Sequence, residues 1–126
     1  MKTIKLEYHQ EIDKKIIKKE LIFQEDLIKV PFSRKSLFVS KVQGESMQPY
    51  IMDRSLVVAD LSQKEFINQD IYLIYKDDNM WIKKAETIND EDFFVSINPA
   101  FSHLKYKKDD CRTIAKVLLF FEEDTI

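Results

Sequence analysis

This 126-residue chain contains a single glycine, Gly44. Tight turns that elsewhere use glycine must here be built from Asn, Asp, Ser and Pro. Cysteine is equally scarce. Cys111 stands alone, which rules out a disulfide within the chain, and neither histidine joins it at zinc-ligand spacing. No metal and no cofactor is expected, and the unpaired thiol fits a cytoplasmic location. An excess of one charge is also missing: 20 basic residues meet 22 acidic ones, for a net charge of −2. That balance leaves no electrostatic footprint for nucleic acid. No apolar run reaches the length of a membrane span, and the first residues are too polar for a signal peptide. Repeats, low-complexity tracts and Gly/Ser linkers are absent.

What is present suits one domain of ordinary size. Nine Phe and five Tyr supply ample material for a core. Residues 1–10 alternate weakly through Ile4, Leu6 and Tyr8, as a short strand or an arm would. Over residues 11–23 the apolar positions Ile12, Ile16, Ile17 and Leu21 fall at helical spacing, with Lys14, Lys15, Lys18 and Lys19 between them. The spacing predicts an amphipathic helix. Its lysines invite a nucleic-acid reading, but residues 1–30 hold seven lysines against six acidic residues, so a solvated face is expected. A helix-turn-helix reader needs more helices than this segment has room for, so no DNA-binding domain is expected in this chain.

Beyond residue 27 the texture is that of strands. Ile28-Lys29-Val30 is a short one, stopped by Pro31. Residues 37–42, 55–59, 70–75, 80–85, 93–97 and 113–121 are richer in β-branched and aromatic residues, and polar turns separate them, Asp77-Asp78-Asn79 among these. An acidic stretch at 122–124 closes the pattern as a solvated end. The expected fold is mainly β, with short antiparallel strands in bent sheets. The expected division is an arm and helix over 1–30 and a β domain over 31–126.

The stretch Gly44-Glu45-Ser46-Met47-Gln48-Pro49 interrupts this pattern. Gly44 frees the backbone, whereas Pro49 fixes its own φ and restricts Gln48. Ser46 lies between them on a tight, exposed turn, the setting in which nucleophilic serines are often presented. A plain turn serine has the same local signature. A serine hydroxyl is a weak nucleophile and needs a base within hydrogen-bond reach. His9 lies in the arm and His103 in a polar loop, and neither sits in a triad-like motif. A lysine serves if burial strips its proton near neutral pH. Lys83 and Lys84 follow Met80, Trp81 and Ile82, unlike lysines in charged surroundings. On a strand Lys83 shares a face with Trp81, and Lys84 shares one with Ile82. Alternation alone does not choose between them, and paired lysines on a half-exposed strand are usually solvated.

Taken together, these segments resemble the C-terminal, self-cleaving peptidase domain of LexA-type repressors, related phage repressors and UmuD. The resemblance covers about residues 31–121. It is carried by Gly44-Glu45-Ser46-Met47-Gln48-Pro49, by Ile51-Met52-Asp53-Arg54-Ser55 with the apolar run to Asp60, by Asp77-Asp78-Asn79-Met80-Trp81-Ile82-Lys83-Lys84, and by Val95-Ser96-Ile97-Asn98-Pro99-Ala100-Phe101. It implies a LexA-like fold and a Ser-Lys dyad, with Ser46 as nucleophile and Lys83, not Lys84, as base. The backbone amides of Glu45 and Ser46 would hold the oxyanion. Gly44, Met47 and Pro49 would support the turn. Such proteins cut their own upstream loop after Ala or Cys and before Gly, in the SOS or phage-induction response. They also dimerise through this domain, and in the repressors a RecA filament promotes the cut.

This chain departs from that pattern in three places. Residues 1–43 contain no glycine, hence neither Ala-Gly nor Cys-Gly. Arg54-Ser55 replaces Gly-Asp after Asp53. Trp81 stands where some relatives carry a hydroxyl near the lysine, which implies one hydrogen bond fewer to the base. Three functions are compatible with these residues. One is a serine endopeptidase using Ser46 and Lys83. The second is a dimerisation or partner-binding module, with a polymerase or RecA as candidate partners, in which cleavage is dispensable. The third is a signal-peptidase relative, which ranks last because that class needs a membrane anchor.

Overall fold

The computed structural model describes residues 2–122; residues 123 and 124 of the expected acidic end lie outside them. Among the described residues there are nine strands. They are β1 (Thr3–Ile12), β2 (Lys15–Gln24), β3 (Leu37–Lys41), β4 (Leu56–Asp60), β5 (Ile71–Lys76), β6 (Asn79–Ile88), β7 (Glu91–Val95), β8 (Tyr106–Lys107) and β9 (Arg112–Phe121). The hairpin β1-β2 stands as a two-stranded sheet. The other strands form one antiparallel sheet in the order β3-β4-β9-β5-β6-β7-β8. The expectation of a mainly β, antiparallel architecture holds.

The helix expected over residues 11–23 is not there. This segment is the end of β1, a two-residue turn and most of β2. Asp13 and Lys14 adopt φ of 51° and 65°, and Ile12 pairs with Lys15 across them. That is the geometry of a tight hairpin turn whose twist matches the strands it joins. Ile4 then faces Phe23 and Leu6 faces Leu21. Leu21 and Phe23, two residues apart, are buried on one side of β2, while Ile16 is 74% exposed. The helical spacing was an accident of residues drawn from both faces. What decides the conformation is pairing with β1 and cover for the core beneath, which β-branched isoleucines suit. Ile28-Lys29-Val30 is likewise not a strand; Ile28 packs into the core from a loop.

Scarcity of glycine is met as composition suggests. The hairpin turns Asp77-Asp78 (φ 52° and 63°) and Asn89-Asp90 (φ 50° and 65°) use residues that tolerate the left-handed region.

β4 organises the interior, for all five of its residues are buried. Alternation sends Leu56 and Val58 to one face, where Ile4, Leu21 and Phe23 of the hairpin meet them. Val57 points the other way, into a second cluster with Val42, Met47, Ile51, Leu73 and Ile82. β9 lies between β4 and β5, and the register slips once against each, near Leu118 and near Ile114. Such bulges bend a strand and raise its twist. The bent sheet brings the loop after β3 over the start of β6.

Candidate active site

Ser46 sits in the loop between β3 and β4. Gly44 has φ of +94°, a conformation that a side chain disfavours, although a Cβ there would meet nothing within 4 Å. Its requirement for glycine is conformational, not steric. Asp53 accepts from the Gly44 amide at 2.8 Å, and Gln48 Oε1 accepts from the Asp53 amide at 3.1 Å. Met47 is buried among Val42, Ile51, Leu73 and Ile82, so its side chain anchors the turn while the neighbouring Ser46 stays half-buried. Pro49 is exposed and follows a cis peptide. Among the described residues, the amides of Glu45 and Ser46 make no hydrogen bond within the fold.

Lys83 lies on β6, directly opposite Tyr72 of β5, and is fully buried. Its Nζ donates to Ser46 Oγ at 3.0 Å and to Ser96 Oγ at 2.9 Å. The Trp81 ring lies 5.5 Å from Nζ, on the same strand face. Among the described residues Lys83 has no carboxylate partner. Burial, with nothing to offset it, pulls the ammonium down from its ordinary 10.5 to about 8. Lys84 points to the opposite side of the strand, is only partly buried, and faces Ile71 and Val95 in the register. The fold thus separates two lysines that alternation left equivalent. His9 is exposed on β1, and His103 is exposed in the loop after residues 99–101; the side-chain partner of Ser46 is Lys83, not a histidine.

Two residues beside this pair carried no role at the level of sequence. Ser96 supplies Lys83 with a hydroxyl acceptor, so the hydrogen bond expected to be missing because of Trp81 is made from another strand end. Asn98 ties down the serine turn: its amide donates to Ser46 O at 2.9 Å, and its Nδ2 donates to Glu45 O at 2.9 Å. The segment 95–101 was part of the resemblance, and Asn98-Pro99 read only as a strand end. No periodicity links Ser96 to Lys83, 13 positions away, or Asn98 to Glu45, 53 positions away.

A cleft of about 430 Å³ opens beside Ser46, between the end of β3 and the β5-β6 hairpin, with Val42, Met47, Leu73, Met80, Trp81 and Ile82 among its walls. On the β7 side, β6 is paired only from Lys84 onward, so its stretch from Asn79 to Lys83 has β5 as its one sheet neighbour. Among the described residues no group of three or more His, Cys, Asp or Glu side chains gathers to hold a metal, and no helix is long and apolar enough to cross a membrane.

No curated protein matches this chain. A family model described as Peptidase S24-like, however, matches residues 4–118, a span that begins in β1 and ends in β9. The bent antiparallel sheet, with a serine turn laid over a buried lysine strand, therefore has a family: the chain belongs to the Peptidase S24-like proteins and carries their LexA/UmuD-type peptidase fold.

Proposed function

We propose that this protein is a serine endopeptidase in which Ser46 and Lys83 form the catalytic dyad. The observation that carries this reading is a fully buried amine, without a carboxylate, 3.0 Å from a serine hydroxyl. Burial of an unpaired lysine costs stability unless the amine can shed its proton, and a neutral amine is a base. Ser46 Oγ attacks the carbonyl carbon of an extended peptide lying in the cleft, and its proton passes to the Lys83 lone pair. The amides of Glu45 and Ser46 are free to receive the oxyanion. Collapse of the tetrahedral adduct breaks the C–N bond, and the Lys83 ammonium returns its proton to the leaving amine. Water then attacks the Ser46 ester, giving its proton to Lys83; collapse of this second adduct breaks the C–O bond to Ser46, Lys83 returns the proton to Oγ, and the acid product leaves.

With the amine near 8, about one molecule in ten holds it neutral at pH 7 and about nine in ten at pH 9. Phosphonylation of Ser46 by a serine-reactive fluorophosphonate probe, with fluoride as leaving group, is therefore expected to rise about tenfold between those pH values. Ser46→Ala and Lys83→Ala should both abolish it. Labelling that survives either substitution sinks the dyad.

A second reading has a specific observation behind it, the lack of Ala-Gly and Cys-Gly in residues 1–43. That lack is compatible with a scissile bond unlike that of the familiar repressors, and with a domain in which cleavage is dispensable and which serves for dimerisation or partner binding. Sedimentation tests the module reading. The module reading expects a dimer that persists in Ser46→Ala and Lys83→Ala; a strict monomer at high concentration counts against it.

A further inference from the structure

We propose that Trp81 is the specificity-determining residue of this site: with Met80 it walls a subsite that selects a bulky apolar side chain in the substrate peptide, next to the bond that is cut. This inference rests on the dyad reading above and adds to it the class of peptide that the dyad meets. On β6, Trp81 shares a strand face with Lys83, and its ring lies 5.5 Å from Nζ. Lys83 Nζ in turn lies 3.0 Å from Ser46 Oγ. A carbonyl carbon held at the serine therefore carries its own side chain within reach of the indole. The ring is fixed in place. Its Nε1–H donates to Lys76 O at 3.3 Å, and its side chain packs against the cluster of Tyr72, Ile74, Ala85 and Phe94. It is nonetheless only half-buried, and it lines the cleft. A ring held in this way offers a broad contact face at little cost in conformational entropy.

The rest of the cleft points to the same ligand. Among its walls Met47, Leu73 and Ile82 are already buried by the fold, so they form a settled apolar surface. Met80 also lines the cleft but is 49% exposed. Its unbranched thioether adapts to the side chain that enters. A space of about 430 Å³ is more than a methyl group fills. With alanine beside the indole, much of this apolar lining stays in water, whereas leucine, methionine or phenylalanine covers it. The stretch of β6 from Asn79 to Lys83, unpaired on its β7 side, offers main-chain groups that hold an extended peptide whatever its sequence. Selection therefore falls to the side-chain walls.

Trp81 is the only tryptophan of the chain, so its emission reports directly on the subsite. The Ser46→Ala protein keeps the cleft without its nucleophile. It is titrated with a short host peptide of small polar residues carrying one guest residue: alanine, leucine, phenylalanine or arginine. Leucine and phenylalanine guests are expected to shift the emission to the blue and to bind about 10–100-fold more tightly than alanine. Adding Trp81→Ala should bring the leucine and alanine guests within about threefold of each other, read from the methyl resonances of Met47 and Met80. Trp81→Phe, which keeps a ring, should retain most of the preference. If Trp81→Ala fails to fold, Met80→Ala serves, since it changes a half-exposed side chain; it should weaken the leucine guest about threefold or more and leave alanine unmoved. Equal binding of the alanine and leucine guests overturns the proposal. So does a leucine preference that survives Trp81→Ala, or that survives Met80→Ala undiminished where that variant stands in. A preference for arginine, which would make the ring a cation site, overturns it too, as does the absence of binding by every guest. Cleavage of the same peptides by the parent is a separate readout. Selective binding of the leucine guest without cleavage at alkaline pH fails the dyad and leaves the subsite standing.

Discussion

Lys83 is the residue on which stability and chemistry conflict. A lysine whose proton is lost near 8 in the folded protein, against 10.5 ordinarily, binds fewer protons folded than unfolded between those values. Stability therefore rises with pH across that window, and below it the burial of this side chain is a net cost. The separation corresponds to about 3 kcal/mol. Lys83→Met fills the same space without a charge. It is expected to be more stable than the parent by about 3 kcal/mol in urea unfolding at pH 7, with the gap closing by pH 10.5, and to be inert toward the fluorophosphonate probe. A parent that is equally stable at pH 7 would mean that the amine is not dehydrated. No comparable tension attaches to Lys84, which is only half-buried on the other face of the strand.

Among the elements, the N-terminal hairpin offers the sharpest contrast between a local reading and a folded one. Leu21 is 2% exposed and packs with Ile4, Leu56 and Val58, whereas Ile16 is 74% exposed. Leu21→Ala should cost about 2–5 kcal/mol of unfolding free energy. Ile16→Lys should change it by less than about 0.5 kcal/mol. An amphipathic helix would make both losses large, since it would bury Ile16 and Leu21 on one stripe. The strands from β3 onward, β8 excepted, were legible because each carries its own signal, a run of β-branched or aromatic residues bounded by polar turns. β1 showed only a weak alternation that left strand and arm open, and β2 was misread as helix, because the pair Asp13-Lys14 is a weak turn signal and only the partner strand discloses the pairing. β8, two residues long, gives no pattern to read.

For the molecule as a whole, β4 divides two apolar clusters, and its last residue fastens the chain that enters β3. Asp60 is fully buried and accepts four hydrogen bonds, from the Ser33 amide, the Ser62 amide, the Ser62 hydroxyl and Gln63 Nε2. Burial alone would push its carboxyl up, but these donors together outweigh it and hold the group below the ordinary 3.8. Its contribution to stability is thus complete above pH 3.8 and fades as pH falls through the lower folded value. Asp60→Asn should lose about 1–3 kcal/mol at pH 7 in urea unfolding, and the difference from the parent should shrink at pH 3 and below. A gap that stays constant with pH would mean that the carboxylate charge plays no part in this lock. None of the Asp60 hydrogen bonds involves Ser46 or Lys83, so the folded variant should react with the fluorophosphonate probe at the parent rate.

Composition and order along the chain settled a good deal without any fold. They settled that the hairpin turns at 77–78 and 89–90 would fall to Asp and Asn, though Lys14, Arg54 and Gln69 also take positive φ, that the chain would be mainly strand, and that Ser46 would ride on a constrained turn after a β segment. Those are local matters, decided by φ preferences and by two-residue alternation. The tertiary structure decided which lysine is dehydrated, because a face has no inside until a second layer covers it. It also decided that Ser96 and Asn98 belong to the site, and that residues 11–23 pair as strand. Each of these depends on contacts between positions far apart in the chain, which only the bending of one sheet over another element brings within reach.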